Sequence, residues 1–302
     1  MKPPVILDLD QSLGEFPGQI RVPMQDWHEK LRFACSATTL GALREELDRR
    51  LPARHGTVLF GSGDFHHLSW PLIERCAAHG PFQVVVLDNH PDNMRFPFGV
   101  HCGSWVRRVA ALECVSDVHV VGITSSDIGL AHAWENSLLP LLRGRLTYWS
   151  IGVDVRWAAA LGLAGRFRSF AGIDALVATF AAEQERSSRP TYLSIDKDVF
   201  ASDLVRTNWD QGCMRLEHAR TLIAALQGGI IGSDINGEVS THAYRSWWKR
   251  RLTAIDGQAP VPGERLAEWR VQHHALNRAL LAAIAGCSRS TGAGPAGAAH
   301  AP

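Results

Sequence analysis

Three short segments carry most of the side chains that could do chemistry: Ser62-Gly63-Asp64-Phe65-His66-His67, Leu87-Asp88-Asn89-His90-Pro91-Asp92 and Ser194-Ile195-Asp196-Lys197-Asp198-Val199. Each follows or closes a stretch that reads as a buried strand. In an extended chain residues two apart point to the same side, so Asp88 projects with His90 and Asp196 with Asp198, while Lys197 points away from its neighbours. Two such half-clamps and a histidine supply enough ligands for two metal ions. Oxygen and imidazole donors without thiolates favour Mn²⁺ or a related borderline-to-hard cation over structural zinc. Several carboxylates also let one oxygen pair bridge two ions about 3.5–4 Å apart. The aspartates Asp88, Asp92, Asp196 and Asp198 formally neutralise two divalent ions, and a bridging hydroxide would leave the cluster slightly negative, a suitable host for a cationic substrate. Any one segment is equally well read as turn and capping chemistry, because Asp and Asn favour turns and Pro91 enforces one. His66-His67 alone reads as a helix N-terminus with one ring in the core. The joint occurrence at three strand ends, on the rim where α/β sheets bind ligands, is what points to a site.

The elements that must position these residues alternate along the chain. Val5 to Leu7, Thr57 to Phe60, Gln83 to Leu87, Val118 to Gly122, Arg145 to Ser150, Thr191 to Ile195 and Gly229 to Ile235 read as strands. Between them, 40–51, 70–79, 102–111, 172–184, 215–226 and 263–285 read as helices. Apolar stripes run along Leu216, Ala219, Leu222, Ile223 and Leu226, and along Leu266, Trp269, Val271, Leu276 and Leu280. Near-continuous apolar strands such as Val84-Val85-Val86-Leu87 imply burial on both faces. The expected fold is therefore α/β, a three-layer α-β-α arrangement with a mainly parallel central sheet. Residues 1–287 read as one such domain, and the Gly/Ala/Ser/Pro-rich stretch 288–302 as a disordered tail.

Composition narrows the function. With 31 basic and 30 acidic residues and a formal charge of +1 in 302 residues, no cationic field calls for nucleic acid or an anionic membrane. A small molecule is the expected partner. The N-terminus lacks a signal peptide's apolar run, and no segment offers about 18 uninterrupted apolar residues, so a cytoplasmic protein is expected. The six cysteines show no Cys-x-x-Cys spacing and read as reduced packing residues, with Cys102, beside His101, set apart from the rest.

In order and separation, the three segments resemble the Gly-Gly-Asp-His, Asp-Ala-His-x-Asp and Ser-x-Asp-x-Asp elements of the arginase/agmatinase, or ureohydrolase, superfamily. The likeness spans about Val58 to Val239. It implies two divalent ions, Mn²⁺ in that superfamily, one held by His66, Asp88, Asp92 and Asp196 and the other by His90, Asp88, Asp196 and Asp198. It further implies hydrolysis of a linear C–N bond in a guanidino or related amidino substrate by a metal-bridging hydroxide, with Asp92 orienting the water. His101 sits where the superfamily places a proton-shuttling histidine and, with a near-neutral pKa, would be the general acid for the leaving amine. Glu238 would anchor the cationic group, with Asp210 or Trp209 as further holders. Relatives commonly assemble as trimers or hexamers, so a homo-oligomer is implied.

The chain also departs from that pattern. Phe65 intrudes between Asp64 and His66, read here as a bulge that keeps His66 as ligand, with His67 behind it or as the alternate ligand. The Met-, Phe- and Pro-rich loop Asn93 to Val100 argues against free arginine as substrate. Other readings compete. A single-zinc deacetylase of acetylated amines on the same fold would need only Asp88, His90 and a later aspartate. A non-catalytic metal-binding relative would keep a degraded site. Ile6-Leu7-Asp8-Leu9-Asp10 resembles the nucleophile strand of haloacid-dehalogenase phosphatases, a reading that leaves the other segments without purpose.

Overall fold

The computed structural model describes residues 2–242, 244–247, 249–251 and 261–290. Its strands are β1 (Val5–Asp8), β2 (Ile20–Pro23), β3 (Ala34–Cys35), β4 (Val58–Leu59), β5 (Phe82–Leu87), β6 (Val100–His101), β7 (Val115–Ile123), β8 (Leu146–Ile151), β9 (Phe167–Phe170), β10 (Thr191–Asp196) and β11 (Ile230–Asn236). The α-helices are α1 (His28–Leu31), α2 (Ala37–Arg50), α3 (Ser69–Glu74), α4 (Val106–Val109), α5 (Leu139–Leu142), α6 (Ile173–Gln184), α7 (Leu216–Ala224) and α8 (Leu266–Ser290). Nine strands form one sheet in the order β2-β1-β4-β11-β10-β5-β7-β8-β9, and every pairing in it is parallel.

Side-chain alternation decides how this sheet is covered. Val84 and Val86 of β5 face a layer containing Leu40, Leu43 and Leu47 of α2, Leu72 and Ile73 of α3, and Val106 and Val109 of α4. Val85 and Leu87 face Leu176 and Phe180 of α6, Leu222 and Ile223 of α7, and Leu276 and Leu280 of α8. Both faces are thus removed from water, which is why the central strands read as continuous apolar runs rather than alternating ones. The three-layer α/β fold expected from the sequence is the fold observed.

Two details differ from expectation. Val271 is 70% exposed, whereas His273, Leu276, Asn277, Leu280 and Ile284 are buried. The packed face of α8 is therefore a mixed polar and apolar stripe at helical spacing, invisible to a count of apolar residues. This helix also runs to Ser290, three residues beyond the expected end of the domain, and the rest of the expected tail, 291–302, lies outside the described residues. Among the described residues no helix is long and apolar enough to cross a membrane.

The sheet brings two of the three chemical segments side by side. β10 pairs with β5 in a register that sets Ile195 opposite Leu87, so the chain leaves the sheet at Asp196 beside Asp88. β11 lies on the other side of β10, with Asn236 opposite Asp196, and β4 follows, delivering Gly63 to His66 from two strands away.

Candidate metal centre

The segment after β5 turns on itself: the His90 amide donates to Asp88 Oδ1 at 2.7 Å. Asp92 closes the turn in the left-handed region at φ +46°, a conformation Asp tolerates better than most side chains. Its Oδ2 accepts a 2.6 Å hydrogen bond from Trp105 Nε1. At the end of β10 the Asp198 amide donates to Asp196 Oδ1 at 3.2 Å, so both carboxylates of that clamp leave one short 3₁₀ turn. Asn89, unremarked in the sequence, ties the strand ends together. Its Oδ1 accepts from the Thr124 amide and hydroxyl, and its Nδ2 donates to Asp210 Oδ2 at 3.1 Å.

The segment Gly63–Leu68 is a 3₁₀ helix capped by Ser62, not the expected bulge. The tighter turn buries Phe65 against Arg32 and directs His66 into the cluster. His66 Nδ1 lies 2.9 Å from Asp92 Oδ2, 3.2 Å from Asp88 Oδ2 and 3.3 Å from Asp196 Oδ2. Across Asp88, His90 Nδ1 is 3.0 Å from Asp198 Oδ2, and His90 Nε2 is 2.8 Å from Asp210 Oδ1. His66, Asp88 and Asp92 could hold one ion and Asp88, His90 and Asp198 another, with Asp88 common to both groups. His67 is buried but absent from the cleft lining, and burial, then the nearby His101, lowers its pKa to about 3.

Crowding of carboxylates away from water shapes the electrostatics. Burial, then Asp92, raises Asp88 to about 7, and burial, then Asp198, raises Asp196 to about 7. Burial, then Asp88, raises Asp198 to about 6. For His66, burial opposes the charged ring, yet hydrogen bonds to Asp88 and Asp92 hold its pKa well above the usual value. Protons therefore compete with a metal ion for these groups.

Above this floor opens a cleft of about 350 Å³ lined also by Met94, His101, Cys102, Trp209 and Asp210. Asp127, His132 and Glu135 also line it, and sequence reasoning missed them because their segment follows no recognisable spacing. His101 borders the cleft between Phe96 and Phe33, with Nδ1 accepting the Gly103 amide at 3.0 Å. Burial, then Arg107, lowers its pKa to about 4, so the near-neutral value expected of it is corrected: the aromatic pocket disfavours the charged ring. Glu238 also requires correction. It does not line the cleft but is buried, with one carboxylate oxygen bonded to Lys197 and Asn277 and the other 3.3 Å from His273 Nδ1. The Asp8-Asp10 pair stands apart as well: Asp8 pairs with Arg21 and Asp10 with buried Arg32, and neither lines the cleft.

No protein-family model matches the chain. An uncharacterized protein of Thermotoga maritima is 29% identical over 194 residues, 64% of this chain and 62% of that protein, so the match spans less than two thirds of that relative's length. Among solved structures, the agmatine ureohydrolase of Thermoplasma volcanium superposes with a TM-score of 0.53 at 13% identity, over 96% of this chain and 92% of the other. The proclavaminate amidino hydrolase of Streptomyces clavuligerus does so with a TM-score of 0.52 at 16% identity, over 94% and 92% of the two chains. At such identities the likeness is one of fold.

Proposed function

We propose, from the premise that this chain has the arginase/agmatinase superfamily fold in a divergent form, that it is a metal-dependent hydrolase cleaving a linear C–N bond of a guanidino or related amidino substrate. The observation that carries this reading is the orientation of His66. Its Nε2 lies 3.0 Å from Ser194 Oγ, and that hydroxyl donates to Asp234 Oδ1 at 2.7 Å. Nε2 therefore carries a hydrogen, and Nδ1 faces three carboxylates, where the raised pKa keeps a second proton on the ring until a metal ion displaces it. Lone pair and carboxylates repel unless a cation, proton or metal, lies among them. Asp88 Oδ2 is buried, 3.2 Å from Nδ1, and faces no partner other than His66, so it is placed to take the same cation. The donor set fits the implied ions.

His66, Asp88, Asp92 and Asp196 would hold one divalent ion, and His90, Asp88, Asp196 and Asp198 the other, with Mn²⁺ matching the hard oxygen set. Such ions supply an acidified water and polarise the electrophilic carbon. Asp92, fixed by Trp105, orients the attacking water. Because His101 Nδ1 is occupied by the Gly103 amide, the neutral ring keeps its proton on Nε2 and offers it as a hydrogen bond to the departing nitrogen. The substrate's cationic group is received by Asp210 and the face of Trp209, with Asp127 and Glu135 also in the lining. Asp210 stays charged because its hydrogen bond from His90 lowers its pKa. Glu238 has no part in this.

The test is a panel of guanidino, formimino and acetylated amines with Mn²⁺ present, scored for urea, ammonia and acetate. Release of urea or ammonia that disappears in Asp196→Ala supports the proposal. Acetate release with one zinc per chain would replace it by the deacetylase reading, and product formation that persists in Asp196→Ala contradicts it.

A further inference from the structure

Lys197 has no exposed surface, although it stands between two aspartates of the cluster. Its ammonium meets the Glu238 carboxylate and, at 3.1 Å, Asn277 Oδ1. Asn277 Nδ2 in turn donates to Glu238 Oε1 at 2.6 Å. One turn earlier on α8, His273 Nε2 donates to the Arg206 carbonyl oxygen at 2.7 Å, while its Nδ1, 3.3 Å from Glu238 Oε2, makes no hydrogen bond. The Arg206 loop is the one that carries Trp209 and Asp210. The backbone permits this closeness at Gly237, whose φ is +86° and where a Cβ would collide with Asp196 Oδ1 and the Lys197 amide.

A buried ion pair adds little net stability over a well-packed apolar pair, because desolvation offsets its attraction. What hydrogen bonds within such a network add is direction: each fixes the orientation of the groups it joins. We infer that Lys197, Glu238, Asn277 and His273 form a latch through which α8 holds the Asp196/Asp198 clamp in register with the 206–210 loop. Lys197 is then a positioning residue for the metal cluster, an assignment that rests on reading that cluster as a metal site. The latch also explains why Glu238 is withdrawn from the cleft: it serves the clamp instead of the substrate.

The variant to make is the double substitution K197M/E238Q, which removes both charges together. K197M alone would strand a buried carboxylate and risk unfolding. Circular dichroism establishes the fold, and two readouts then follow: hydrogen exchange in metal-free protein over 197–200 and 206–212, and Mn²⁺ affinity by calorimetry. The latch predicts exchange at least about tenfold faster in both segments and affinity about tenfold weaker. A folded double variant with wild-type exchange in both segments overturns it. If the double variant does not fold, His273→Leu, which leaves the Lys197–Glu238 pair intact, decides the matter: faster exchange confined to 206–212 supports the latch, and unchanged exchange there overturns it. A wild-type protein that binds no Mn²⁺ overturns the metal reading instead, and the metal-free exchange still judges the latch.

Discussion

At the floor of the cleft, every proposed ligand except His66 leaves the end of β5 or β10, two adjacent strands of a sheet covered on both faces. The Asp88 and Asp198 side chains are 1% and 4% exposed, and their oxygens meet neighbouring imidazoles or amides. At the rim, Trp209, Asp210, Asp127 and Glu135 come from loops, and the Asp210 side chain is 66% exposed. Rigid strand ends hold the groups that would handle metal, whereas loops free to vary hold those that would choose the substrate. On the proposed function, reaction type would rest with the strand ends and specificity with the loops.

The largest effect should come from breaking the floor. His66→Ala is expected to lower Mn²⁺ affinity by more than roughly a hundredfold, the upper end of what a ligand's supporting residue contributes. His67→Ala, one residue away but outside the cleft, should leave affinity intact and reduce stability by about 1–3 kcal/mol; calorimetry and thermal melts of both separate the two histidines. Removing the hydroxyl that fixes the His66 ring, Ser194→Ala, should weaken Mn²⁺ by roughly ten- to a hundredfold in the same titration.

A gentler probe of the floor is pH. Asp88 and Asp196, raised to about 7 by burial and then by their neighbours Asp92 and Asp198, bind protons more tightly folded than unfolded. Their contribution to stability is complete below the ordinary carboxylate pKa and is lost as pH rises through about 7. Chelator-treated protein should therefore melt at a lower temperature at pH 8 than at pH 6, with Mn²⁺ restoring the difference. The rim should respond least. Trp209→Ala is expected to raise KM by about two- to thirtyfold, matching a cation–π contact of about 0.5–2 kcal/mol, while Mn²⁺ affinity stays constant.

The same division explains what could be read from the sequence. The central strands were legible because burial on both faces leaves uninterrupted apolar runs such as Val84 to Leu87. β2 and β9 lie at the sheet edges with partly exposed residues, and β3 and β6 are only two residues long, so neither pair leaves a pattern. At the floor, Asp88 with His90 and Asp196 with Asp198 were legible because two-residue spacing converts directly into a shared side of the chain. Glu238 was misread because its partners, Lys197 and Asn277, lie 41 and 39 residues away in the chain, a relation that local spacing does not encode. His101 lines the cleft, but its pKa depends on its burial beside Phe33 and Phe96, which is a property of packing.

The central claim, that the floor is built for two ions sharing Asp88, is tested most directly by titrating chelator-treated protein with Mn²⁺ in a calorimeter, beside Asp88→Asn. The account predicts two ions per chain in the wild-type protein and loss of both in Asp88→Asn. One ion per chain, or an Asp88→Asn variant that retains an ion at wild-type affinity, would contradict it.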